Sequence, residues 1–179
     1  MLDNKYAANY ISAMFELQDL PSYDTLAAFG AAYGNPDVDG LHAWLAWASA
    51  TGEMLSAFDA NLAKNGGLSQ SQFFVLLLLK RNPAGLSVGA LAQGVAVTSQ
   101  TMTRTLDRME GAGLCRREAD PQDRRAWLIH LTPAGDALLA QALPAHYAWV
   151  ANLMQHFSAE ERALLQRLTG KLREAGLSR

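Results

Sequence analysis

Only one cysteine, Cys115, occurs in the 179 residues. A disulfide framework within the chain is therefore excluded, and a reducing cytoplasm suits the composition. Long apolar runs are also missing. The longest, FFVLLLL from Phe73 to Leu79, is far shorter than the ~20 residues a spanning helix needs. The opening MLDNKYAANY has no basic stretch leading into an apolar one, so no secretory signal and a cytoplasmic location are expected. His42, His130, His146 and His156 show no metal-ligand spacing, and no second cysteine joins them. No metal and no cofactor are expected. Nucleophile–base pairs, glycine-rich phosphate loops and paired-carboxylate motifs are absent as well, which leaves a small helical enzyme with an apolar pocket as a distant alternative.

Charge is scarce, at 18% of residues with a net of −2, but it is unevenly spread. Residues 80–130 hold eight Lys/Arg against five Asp/Glu, a balance of +3; residues 1–60 hold Lys5 against eight acids, a balance of −7. A basic middle behind an acidic front raises the question of a nucleic-acid partner. Half of the residues are apolar, enough for one domain with a real core, or for a domain with an added oligomerisation element.

Almost all of the chain reads as helix. Ser22 caps a short helix over 22–33 that Gly34 stops, and NPDVDG follows as a turn. From Leu41, apolar residues recur at helical spacing through Trp44, Leu45, Ala48, Leu55, Phe58 and Leu62 to Gly66-Gly67. Ser69 and Gln72 have capping-box spacing ahead of FFVLLLLKR, a helix that Pro83 and Gly85 end. Ser87 caps a short helix to Gly94, Thr98 caps another to Gly113, and only VAV separates the two. The period then changes: 114–118 and 126–131 read as strands around a charged turn. Thr132-Pro133 starts a helix running towards Phe157, with Pro144 expected to kink or divide it. Ser158 and Glu161 form a second capping box before Leu164, Leu165, Leu168 and Leu172.

That order predicts a mainly α fold with a small β-hairpin wing, a winged helix-turn-helix between N- and C-terminal dimerisation helices. The expected divisions are an N-terminal helical extension (1–35), a dimerisation and pocket helix (36–67), the winged helix-turn-helix (68–132) and the C-terminal dimerisation helices (133–179). The apolar terminal helices imply a second copy to cover them, hence a homodimer.

In the helix after Thr98, Met102, Leu106 and Met109 share one face. The opposite face carries Gln100, Arg104, Asp107 and Arg108, flanked by Thr101 and Thr103. A helix N-terminus with small hydroxyls, Ser99 among them, suits phosphate oxygens; Arg and Gln can engage guanine and adenine edges. The segment reads as a recognition helix on double-stranded DNA, with an ordinary amphipathic surface helix as the alternative. In the turn, Asp123 and Arg125 are placed to pair and stiffen it, leaving Arg124 to probe a narrow minor groove. The alternative is a solvated hairpin tip.

The run GLCRREADPQDRRAWLIHLTPAG, residues 113–135, resembles the wing of the MarR family of bacterial transcriptional regulators: Gly113-Leu114, Arg116-Arg117, Asp123-x-Arg125, then Ile129-x-Leu131-Thr132. TRTLDRME resembles that family's recognition helix and LSQSQFFVLLLL the helix before it, and the likeness spans roughly residues 40–175. It implies a homodimer on a palindromic operator and repression relieved by small aromatic or phenolic effectors. Arg104 matches the recognition-helix arginine, Gln100 and Thr101 the preceding contacts, Arg124 and Arg125 the wing arginines, and Asp123 the structural acid. The C-terminal helices look most like the efflux-pump-repressor branch. A DNA-architectural protein without ligand control is the remaining alternative. Two readings stand for Trp44 and Trp47: anchors of core and dimer, or, with His42 and Phe74, the lining of an effector cleft. Cys115 reads as a buried small hydrophobe rather than a redox sensor.

Overall fold

The computed structural model describes residues 20–120 and 127–177. The chain forms two compact units, one reaching to Ala60 and the other starting at Asn61. Among the described residues there are seven α-helices and one small sheet.

In the first unit, α1 (Tyr23–Tyr33) starts where the Ser22 hydroxyl accepts from the Thr25 amide and ends at Gly34 in the left-handed region, φ 76°. Helix α2 (Val38–Gly66) follows and runs through the unit boundary. It begins inside NPDVDG rather than after it. Asp37 Oδ1 accepts from the Gly40 amide at 2.7 Å, so the acid that looked like part of a turn is an N-cap. Helix α1 is tied to the start of α2 by the Tyr23 hydroxyl, which donates to Asp39 at 2.7 Å, and by an edge contact between Tyr23 and His42.

The second unit is organised around α3 (Gln70–Arg81), which packs against helices α4, α5 and α6 and strand β3. Phe73, Val75, Leu76 and Leu79 are buried, which is why the most apolar run of the sequence sits here. The Ser69/Gln72 capping box forms as the spacing predicts. Ser87 caps α4 (Val88–Val95), and Thr98 caps α5 (Ser99–Gly111). Between these helices Ala96 takes a left-handed conformation, φ 58°, where glycine is the usual residue. It closes α4 by donating to the Gln93 carbonyl and makes the two-helix turn short.

The sheet has three strands, not the two of a hairpin. Strands β1 (Leu86–Ser87), β2 (Cys115–Ala119) and β3 (Trp127–Leu131) lie in the order β1-β3-β2, all antiparallel. Cys115 pairs with Leu131, Arg117 with Ile129 and Ala119 with Trp127. Helix α6 (Pro133–Met154) is locked to the base of this sheet. The Thr132 hydroxyl donates to the Gly113 carbonyl at 2.6 Å, and Gly135 abuts the Leu114 carbonyl so closely that no Cβ would fit. Pro144 does not divide α6; the helix continues through it to Met154, leaving the Ala140 carbonyl without its usual amide donor. Helix α7 (Ala159–Leu172) starts with the predicted Ser158/Glu161 capping box and continues into a short π-helical turn, Arg173–Leu177. Among the described residues, no helix is long and apolar enough to cross a membrane.

Candidate nucleic-acid interface

Helix α5 is amphipathic in the strict sense. Met102, Leu106 and Met109 have no accessible surface, while Ser99, Gln100, Thr101, Thr103, Arg104, Asp107 and Arg108 are all exposed. The buried stripe fixes the rotation of the helix, so the polar residues face outward as one surface. At its N-terminus, Thr98 Oγ1 accepts from the Thr101 amide at 3.2 Å, and the Thr98 and Thr101 hydroxyls lie 2.9 Å apart. Thr103 Oγ1 donates to the Ser99 carbonyl at 2.9 Å. A helix N-terminus of this kind is suited to phosphate oxygens.

Arg104 and Arg108 make no ion pair with any described residue. Some other cations of this unit are held. Lys80 binds Asp136 at 2.6 Å, Arg116 pairs with Glu118, and Arg162 donates to the Met154 and Phe157 carbonyls at the end of α6. A cation without a protein partner on the outward face of a helix is available for an external anion.

Arg117 was legible only as part of a basic strand. Its Nη2 lies 2.7 Å from Asp107 Oδ1, its Nη1 2.7 Å from Glu110 Oε2, and its backbone amide donates to Glu110 Oε1 at 3.0 Å. One residue thus ties β2 to two turns of α5. Hydrogen bonding to Asp107, with help from Glu110, raises the guanidinium pKa further. Asp107, grouped by helical spacing with the outward readers, is therefore committed to the wing. The signal was present in the i, i+3 pair of acids, Asp107 and Glu110, but its partner follows only from the strand's alternation, which turns Arg117 towards α5 and Arg116 away.

On the outer side of the sheet, His130 Nε2 lies 3.2 Å from Glu118 Oε2. Cys115 is 2% exposed, with its thiol against the Leu106 carbonyl at 4.0 Å. Burial, and then the Glu110 charge, push its pKa up to about 11. The thiol is a packed core group, the opposite of an activated one. The wing tip residues Asp123, Arg124 and Arg125 lie outside the described residues.

Of the aromatic candidates, His42, Trp44 and Trp47 belong to the first unit and Phe74 to the second. Trp44, Trp47 and Phe74 keep 43%, 40% and 39% of their surface exposed, so none is a core anchor within the subunit. Phe74 meets Phe73 edge-on, and Phe73 meets His146 at 5.0 Å between ring centroids. His146 also contacts Tyr147 and stacks on Trp149. Burial lowers the His146 pKa. Sequence reasoning missed His146, whose side chain reaches Phe73 of α3 only because α6 packs on it, and Trp149, which stacks on His146.

Comparison with known proteins converges on this geometry. The sequence profile of the MarR family matches residues 68–127, which run from the cap of α3 to the start of β3. The HTH-type transcriptional repressor YetL of Bacillus subtilis is 31% identical over 160 residues, covering 89% of this chain and 95% of YetL. Sco3205, a MarR family regulator from Streptomyces coelicolor solved in complex with DNA, superposes with a TM-score of 0.70 at 22% identity, covering 74% of this chain and 87% of Sco3205. A MepR-like protein complexed with pseudoligands does so at 0.58 and 28% identity, covering 76% and 94%. A two-helix turn carrying an outward basic face and closed by a three-stranded wing, in a chain that matches nearly the whole of YetL in sequence, is the signature of a regulator and not of an enzyme: the chain belongs to the MarR family of DNA-binding transcriptional regulators.

Proposed function

We propose that the protein is a homodimeric repressor that binds a palindromic operator and is released from it by a small aromatic or phenolic compound. The observation that carries the reading is the outward face of α5, where Arg104 and Arg108 make no ion pair with any described residue and lie beside a capped, hydroxyl-lined helix N-terminus. In this reading Ser99, Thr101 and Thr103 approach phosphate and sugar, Gln100 and Arg104 read base edges in the major groove, and Arg108 holds the backbone. Arg124 enters the flanking minor groove while Asp123 and Arg125 shape the turn. Two copies joined through their terminal helices place two α5 helices one helical turn apart on DNA, ~34–36 Å. YetL is named a repressor, and the MepR-like relative was crystallised with pseudoligands; both support the regulatory part. Trp44, Trp47, Phe74 and His42 are the residues we assign to the effector, because aromatic side chains with a few polar groups are the usual lining of a small-molecule site.

The test is selection of bound sequences from random DNA, with and without a panel of aromatic acids and phenols. A two-fold-symmetric sequence released by members of the panel is expected. The Arg104→Ala protein should lose roughly 1–3 kcal/mol and relax preference at particular base pairs. Selection of no common sequence would reject the operator reading. Equal effector affinity with and without operator would reject the regulatory one, since coupling is reciprocal.

A further inference from the structure

We propose that Arg117 acts as a positioning residue for sequence readout: by capturing Asp107 it keeps that acid away from Arg104 and leaves Arg104 free for a base. This rests on the assignment of α5 as the helix that enters the major groove.

The argument begins with spacing. Arg104 and Asp107 are three residues apart on the exposed side of α5, and i, i+3 side chains of opposite charge are natural partners. Left alone, Asp107 would do two harmful things at a DNA surface. It would compete with a base for the Arg104 guanidinium, and it would place a negative charge against the phosphates. Neither happens, because the carboxylate is turned to the wing, 2.7 Å from Arg117 Nη2. The Arg117 side chain is only 25% exposed, and its second nitrogen and its backbone amide are held by Glu110. This double anchorage on Glu110 sets the guanidinium in place before Asp107 meets it. A planar fork with five donors can serve both carboxylates at once, which a lysine ammonium on a flexible stem does poorly. The result is a division of charges on one helix. Acids at 107 and 110 face the strand arginine, and the arginines at 104 and 108 face outward.

The test is a cycle of Arg117→Met and Asp107→Asn on the duplex that the wild-type protein selects. Affinity and discrimination at the base pair read by Arg104 are both measured. Arg117→Met should lose about tenfold of that discrimination, the loss expected when one bidentate contact is disturbed. Adding Asp107→Asn should restore it to within about threefold, although the second substitution mends no packing. Asp107→Asn alone should change discrimination little. Arg117→Gln, which keeps a donor for Glu110, carries the same comparison if Arg117→Met does not fold. Glu160→Gln, an equal change of net charge on α7, should not rescue. Unchanged discrimination in a folded Arg117 variant, failure of Asp107→Asn to restore it, or equal rescue by Glu160→Gln would each overturn the proposal. Wild-type protein that selects no duplex would instead reject the underlying assignment of α5, and this inference with it.

Discussion

Helix α5 buries Met102, Leu106 and Met109 completely within its own chain. Helix α7 carries Leu164, Leu165, Leu168 and Leu172 at similar helical spacing and buries no residue at all; these leucines keep 38–46% of their surface. The two helices pose the same problem, an apolar stripe that water disfavours, and reach different solutions. Helix α5 finds α3, α4 and β2 of its own subunit. Helix α7, stabilised locally by its capping box, must have its stripe covered by something else, and a second copy is the occupant we propose. An amphipathic pattern states that a face needs covering. It does not state by whom.

The comparison can be broken most forcefully at α7. Replacing Leu165 and Leu168 by Glu in every subunit removes four leucines from a symmetric interface. At about 1.5–3 kcal/mol for each buried side chain, the loss is roughly 6–12 kcal/mol per dimer. Sedimentation should then show monomers at micromolar concentration, while circular dichroism shows α3 to α5 still folded. A dimer that survives both substitutions would place the interface elsewhere.

At α5 the cost should fall on the subunit itself. Leu106→Ala is expected to destabilise the fold by about 2–5 kcal/mol, because a fully buried leucine leaves a cavity. Melting should show the loss at every protein concentration. The stability of Leu168→Ala, by contrast, should vary with concentration, as a residue at a subunit interface requires. Equal and concentration-independent losses would mean that both stripes are covered within one chain.

Cys115 supplies the mildest probe of the buried side. Its pKa of about 11 in the folded chain exceeds the ordinary thiol value of 9.0. The folded state therefore holds the thiol proton more tightly than the unfolded one. That contribution to stability is fully present below pH 9 and is lost as pH rises towards about 11. Denaturation midpoints should decline over this window, and Cys115→Ser should flatten the decline. Thiol alkylation near pH 8 should be slow in the native protein and fast in urea. A cysteine introduced at Leu168 should be blocked only while the dimer persists. Rapid alkylation of native Cys115 would contradict its packing against Leu106.

Much of this fold was legible because helix ends are local chemistry. Ser22, Ser69, Ser87, Thr98, Thr132 and Ser158 each accept the amide that their position predicts. Errors arose where one residue serves two ends. Asp37 looked like a turn residue and is the cap of α2. Strand β1 is only two residues long, and its second residue, Ser87, is also the cap of α4, so no alternation could reveal it. Pro144 was expected to kink or divide α6, and the helix runs through it undivided, since a long helix can carry one missing hydrogen bond. The outward face of α5 is exposed as its spacing predicts, yet Asp107 stands with Arg104 in spacing and with Arg117 in space.

By itself, then, the sequence determined the helices, their caps, the charge asymmetry and the stripe that orients α5, because these depend on residues within a few positions of one another. Only the tertiary structure decided that Arg117 is held by Asp107 and Glu110, that Cys115 is sealed, and that His146 meets Phe73. Those outcomes depend on which side chains from distant segments meet once α3 has gathered α4, α5, α6 and β3 around it, and ion pairs and buried thiols are set by that meeting and not by spacing along the chain.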